Sequence, residues 1–232
     1  MSTTYYVVED EDNSPQKETD RHFIGGAPRI PAGEPLPACQ LCNATMTFYI
    51  QLAFPRDHVW AGWSLAVFGC ADCANEDTLI PEMLRVPLRG ADIPDGFLTS
   101  YQNNFRFLAF SDDEATPRQY EHRVRFKRLE LTSSKKGAMP GWKLNGVPDW
   151  LLEDEAPASY GGRFPMVFLL QLGGGYEFET VENAPRQMDV GLDGLPTLAE
   201  RSSYQLFLGN VVYLFGTMDA NPPMVYAITQ VD

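Results

Sequence analysis

One short signature occurs twice in this chain at a fixed distance. Gly26-Ala27-Pro28 recurs as Gly146-Val147-Pro148, and the run from Met46 through Phe48 and Gln51 to Leu52 recurs from Met166 through Phe168 and Gln171 to Leu172, both 120 residues on. Two matches in one register without a gap read as an internal duplication. In each copy a glycine-proline turn leads to an apolar run of strand length, so the expectation is a turn feeding a strand, twice. Later the copies drift, and Val67-Phe68-Gly69 meets Leu214-Phe215-Gly216 only after extra residues from about Gly173 to Ser203. The division expected is 1–22, a first strand and a polar loop; 23–140, a first repeat with its connecting region; and 141–232, a second repeat with an acidic insertion at 173–203. Together they form one compact domain of two pseudo-repeats.

The remaining segments are read by their periodicity. Thr3 to Val8, Trp60 to Phe68, Val211 to Phe215 and Met224 to Thr229 are β-branched and aromatic runs, hence strands. Tyr204 to Leu208 reads the same way, with Gly209-Asn210 as a tight hairpin turn into the next strand. Glu121 to Leu131 alternates, placing Val124 and Phe126 on one face and Arg123, Arg125 and Lys127 on a solvated other. Glu9 to Arg21 is too polar to order itself and is expected to be mobile. Thr78 to Val86 is the one short helix, ended by Pro87. The class is mainly β (α+β), an internally duplicated β-rich fold.

All four cysteines fall into two C-x-x-C pairs, Cys39/Cys42 and Cys70/Cys73. Two such knuckles supply four soft ligands for a tetrahedral zinc ion, and four cysteines leave no open position for a catalytic water, so the site is structural. Two disulfides and two pairs of free thiols fit the same spacing. No βαβ pattern surrounds either pair, which disfavours a thioredoxin-like role. The span between the pairs leaves room for a hairpin joining the knuckles. The positions that match Cys39 and Cys42 in the second copy are Ser159 and Gly162, so metal is expected on one side only. Gln51 and Gln171 then belong to the scaffold. A buried amide must find partners, and backbone shared between the two halves is the expected one.

Thirty-one acidic residues against 18 basic ones give a formal net charge of −13. That balance opposes phosphate binding and so disfavours sequence-independent nucleic-acid association. The same field speeds encounter with a basic protein. Glu153-Asp154-Glu155, and Glu177, Glu179, Glu182, Asp189 and Asp193 within the insertion, are the candidate contacts. No eighteen-residue apolar run is present, so a soluble, cytoplasmic chain is expected, monomeric when free. There is no G-x-S-x-G elbow, H-E-x-x-H, phosphate loop or dinucleotide fingerprint. His22, His58 and His122 each stand without a matched nucleophile or acid nearby, and no catalytic role is expected.

With those residues in view the chain resembles the YwqG-like family of uncharacterised bacterial proteins. The likeness lies in Gly25-Gly26-Ala27-Pro28 and Phe48-Tyr49-Ile50-Gln51, repeated as Gly146-Val147-Pro148 and Phe168-Leu169-Leu170-Gln171. The run from Gly25 to Cys73 is also similar to the metal-binding first half of programmed cell death protein 2-like proteins. What the resemblance implies is an interaction protein: an immunity-type inhibitor occluding a basic secreted toxin, plausibly a nuclease, or a dedicated chaperone of a basic ribosomal protein. An unrecognised hydrolase using paired carboxylates is the enzymatic alternative.

Overall fold

The computed structural model describes residues 3–12, 14–74 and 79–231. Within them, sixteen strands run in chain order: β1 (Tyr5–Glu9), β2 (Phe23–Ile24), β3 (Arg29–Pro31), β4 (Thr47–Ala53), β5 (Trp63–Gly69), β6 (Asp92–Ile93), β7 (Phe105–Ser111), β8 (Ala115–Pro117), β9 (Lys127–Thr132), β10 (Lys143–Leu144), β11 (Ser159–Tyr160), β12 (Phe164–Leu172), β13 (Met188–Val190), β14 (Pro196–Leu198), β15 (Val211–Thr217) and β16 (Val225–Gln230). One α-helical turn, α1 (Phe97–Ser100), precedes β7. The expectation of a mainly β chain holds.

Ten strands follow one antiparallel path, β16-β15-β12-β10-β1-β9-β2-β4-β5-β7. β11 flanks β12 and pairs in parallel with β6, which makes the sheet mixed. Outward from the β1–β9 seam the strands are β10, β12, β15, β16 on one side and β2, β4, β5, β7 on the other. The registers coincide at the 120-residue offset. Phe23 faces Gln51 and Ile24 faces Ile50, just as Lys143 faces Gln171 and Leu144 faces Leu170. A register shift falls between Phe48 and Ile50 on one side and between Phe168 and Leu170 on the other. Because β1 lies beside β10 and β9 beside β2, the strand that leads each set sits against the other set. β1 is therefore central to the sheet.

The inner strands are buried on both faces, which is why they read as nearly continuous apolar runs. Leu65, Val67, Phe105 and Phe107 join the larger core. Ala66, Phe68, Leu108 and Phe110, alternate residues of the same strands, join a second core with Phe23, Phe48 and Cys39. Across the seam, the Trp60 indole donates to the Thr217 carbonyl at 3.0 Å.

Three local expectations fail, and one segment has contacts that the sequence did not suggest. In the polar segment after Glu9, the Arg128 guanidinium holds Asp20 Oδ1 at 2.9 Å, Asp12 Oδ2 at 3.2 Å and Ser14 Oγ at 3.2 Å. One cation supplied from elsewhere in the chain replaces the missing apolar surface. Residues 79–86 contain no helix, since Pro81 removes a donor and clashes with the preceding turn; Thr78 lies outside the described residues. Tyr204 to Leu208 is not a strand. Phe178 and Tyr204 exchange backbone bonds, and the chain then turns at Phe207–Gly209 with Phe207 and Leu208 in left-handed conformations. Gly209-Asn210 accordingly makes no hairpin; the hairpin partner of β15 is β16.

Candidate metal centre

β4 and β5, seven residues each, form the hairpin that separates the two cysteine pairs. The first knuckle curls before β4: the Asn43 amide donates to the Cys39 carbonyl at 2.8 Å, and Asn43 itself is left-handed. Cys70 follows directly on β5. A third segment ties the knuckles together, because Gln40 N–H bonds the Asn103 carbonyl at 2.8 Å and Cys70 N–H bonds the Asn104 carbonyl at 2.7 Å.

This backbone brings all four sulfurs within 4.8 Å of one another. Cys70 and Cys73 Sγ are 3.5 Å apart, Cys42 and Cys70 3.6 Å, and Cys39 and Cys73 3.8 Å. A tetrahedron with metal–sulfur bonds of about 2.3 Å has edges of about 3.8 Å. A disulfide needs about 2.05 Å, and the four thiols are free. The residues therefore fit a tetrahedral thiolate metal ion, and the open choice among metal, disulfide and scattered thiols narrows to a cluster that could hold a metal.

The four thiols strongly perturb one another. Burial, with the neighbouring cysteines, pushes the Cys70 thiol up to about 12 and Cys73 higher still. Burial also raises Cys42, but the Ala44 N–H and the adjacent sulfurs outweigh it and leave that thiol below its ordinary value. A thiolate at Cys42 thus opposes further deprotonation beside it, and a cation at the centre removes the opposition. Outside the sulfurs, Asp72 forms an ion pair with Arg123.

The matching turn of the second half is fastened by a carboxylate. Asp92 Oδ1 accepts from Ser159 Oγ at 2.5 Å and from Gly162 N–H at 2.7 Å, and Ser159 and Gly162 are the positions 120 beyond Cys39 and Cys42.

The two glutamines are buried and do bond backbone, but each within its own half. Gln51 Oε1 accepts from Arg29 N–H at 2.9 Å and Gln171 Oε1 from Asp149 N–H at 2.9 Å. The expectation that they bridge the halves is corrected: each clamps the loop leaving its own Gly-x-Pro turn, 22 residues upstream in both cases. Of the candidate acids, Glu179 is paired with Lys127 at 2.8 Å and Asp189 with Arg201 at 2.7 Å. Asp154 lies 3.5 Å from Arg89, Glu155 accepts from Gln230, Glu177 from Ser203, and Asp193 caps the Leu195 amide. Glu153 and Glu182 are exposed. His22 and His58 are held as acceptors, of the Ala53 N–H at 3.2 Å and the Trp60 N–H at 2.9 Å, while His122 stacks on Tyr120 at the surface.

The sequence reading missed Asn103-Asn104, the Asp72–Arg123 pair and Asp92. Each acts on residues far along the chain, where no periodicity or spacing signals it. No family model and no curated protein matches the chain. No helix among the described residues is long and apolar enough to cross a membrane.

Proposed function

We propose that the four cysteines hold one structural zinc ion and that the acidic chain they staple captures and occludes a basic protein. The observation that carries the metal is the set of sulfur separations, 3.5–3.8 Å for the nearest pairs. Thiolate-only ligation in a tetrahedron favours zinc, and a fully ligated ion supplies a cross-link with no site for substrate. Purified protein should carry about one zinc per chain; Cys39→Ser or Cys70→Ser should lose it together with cooperative unfolding. Metal-free protein with an unchanged melting curve would overturn the assignment.

The observation that carries the partner is the net charge of −13. We read the chain as a divergent relative of the YwqG-like group, built from two copies of a five-strand unit whose leading strands β1 and β9 are exchanged. Its role is that of a cytoplasmic immunity-type inhibitor, monomeric until it meets a cationic toxin, plausibly a nuclease, which it blocks sterically and electrostatically without chemistry. The protein product of the adjacent gene is the natural partner, and a stoichiometric complex of the two, whose association slows with salt far more than its dissociation quickens, is the expected result. Absence of binding would sink the inhibitor reading. Salt-sensitive binding to an unassembled basic ribosomal protein would favour a client-specific chaperone instead.

A further inference from the structure

The insertion at 173–203 is built in two parts with opposite character. Its base is tightly held. Gln187 is buried, its Oε1 accepting from Gln205 N–H at 2.8 Å and Arg201 Nη2 at 3.0 Å while its Nε2 donates to the Gln205 carbonyl at 2.8 Å. Met188 N–H donates to the carbonyl of Ala71, inside the second cysteine knuckle, at 2.8 Å. From that base β13 and β14 leave the body as a separate two-stranded ribbon, Met188 facing Leu198, Asp189 facing Thr197 and Val190 facing Pro196.

Alternation along paired strands puts Met188, Val190, Pro196 and Leu198 on one face, with Asp189 and Thr197 on the other. Met188 is partly covered, beside Cys70. Beyond it the ribbon is open: Leu198 on this face is 52% exposed, Leu192 in the tip is fully exposed, and Leu195, which alternation places with Thr197 on the other face, is 62% exposed. Three leucines on one projecting ribbon, rather than one apolar residue among polar neighbours, are what a soluble surface avoids unless something covers it. At the base Arg201 pairs with Asp189 and Arg186 bonds the Ala199 carbonyl, so among the described residues the carboxylates left without a basic partner on the 187–200 segment are Asp193 near the tip and Glu200.

We infer that this ribbon is the partner-binding element, inserting Leu192, Leu195 and Leu198 into an apolar depression ringed by Lys and Arg on a cationic protein. The inference deepens the occlusion reading and rests on it. Charge decides the occupant: a second copy would bring another −13 surface against an acidic ribbon, whereas a cationic rim complements the carboxylates beside the leucines. The body anchors the ribbon at Gln187 and Ala71, so its strands are fixed before contact and little ordering is needed on binding. The same anchor joins the ribbon to the metal centre through one backbone hydrogen bond.

The test uses the full zinc-loaded chain and the purified product of the adjacent gene as probe, with affinity measured at fixed salt. Leu192→Asp alone should weaken binding at least about tenfold, and Leu192→Asp with Leu195→Asp about a hundredfold or more, the scale set by burying whole leucine side chains. Both positions are solvent-exposed, and an unchanged melting temperature checks that the variants fold. Val59→Asp, at 59% about as exposed as Leu195 but in the β4–β5 turn, should bind as wild type. Should the probe bind the wild type and the double variant equally, the ribbon is overturned and the occlusion reading stands. Should the wild type not bind it, both fall. Formation of a wild-type homodimer that the double variant abolishes would also overturn the inference, by naming a second copy as the occupant.

Discussion

Acidification to pH 5 should destabilise the chain through His22. Burial, helped by the Arg21 charge, lowers His22 to about 4. Its Nδ1 accepts from the Ala53 amide, so protonation there would set N–H against N–H. In the unfolded chain the imidazole titrates near 6.5. The folded state therefore binds the proton more weakly, and the contribution of His22 is complete above about pH 6.5 and lost as the pH falls towards 4. From 6.5 to 5 is about 1.5 units, worth about 2 kcal/mol at 1.36 kcal/mol per unit. The assay is urea unfolding at pH 7 and pH 5, at equal ionic strength, for the wild type and His22→Asn, which keeps an acceptor near Nδ1 but does not titrate. His58, also lowered to about 4 by burial, and the thiolates of the metal centre remain in both proteins, so the difference between the two pH dependences isolates His22. Asp20, Asp57 and Glu179 are held below their usual values and lose their contribution only at more acid pH. The wild type should lose about 2 kcal/mol more than the variant over this interval. Equal losses would refute the reasoning.

Three further outcomes rest on contacts described above. Gln51→Leu and Gln171→Leu each leave one partly buried amide without its acceptor, at Arg29 or Asp149, and each should cost about 1 kcal/mol, read as a fall in melting temperature of a few degrees; similar losses are expected because the two clamps share one geometry. A β-carbon on Gly173 would lie 1.9 Å from the Pro140 carbonyl oxygen, so Gly173→Ala should destabilise by about 3 kcal/mol or more, whereas Gly62→Ala, left-handed but in open space, should cost about 1–2 kcal/mol. Arg128→Met frees Asp12 and Asp20 together, and limited proteolysis should then cut the 10–20 segment that resists cleavage in the wild type.

What could be read in the sequence was whatever depends on neighbours along the chain. β4, β5, β12, β15 and β16 show as apolar runs because both of their faces are covered, and the cysteine pairs show because ligand spacing within a knuckle is local. The shared registers of β2/β4 and β10/β12 follow the 120-residue match for the same reason. Polar contacts between distant segments left no such trace. The 10–21 segment looks disordered until Arg128 is placed beside it, and Tyr204 to Leu208 looks like a strand until Phe178 claims Tyr204. The glutamines were legible as buried amides, but their partners were not, since the partner lies 22 residues away in a loop.

The contrast between the two knuckle positions carries the last prediction. Turn 39–42 is closed by a sulfur cluster whose remaining cysteines follow β5, whereas turn 159–162 is closed by Asp92, which β6 supplies from the segment between β5 and β7 of the other strand set. If the cysteines hold zinc as proposed, one fastening should answer to a chelator and the other should not. Treatment with a strong zinc chelator should raise amide exchange around 39–43 and 70–73 and, through the Ala71 carbonyl, at the base of the 188–198 ribbon, leaving 159–162 protected. Asp92→Ala should do the reverse: it removes two charge-assisted hydrogen bonds, each worth about 1.5–3 kcal/mol before discounting for exposure, and should loosen 159–162 while zinc content stays unchanged. If the chelator loosened both turns to the same degree, the metal would be supporting the whole sheet, and the view that each turn is fastened independently would have to be given up.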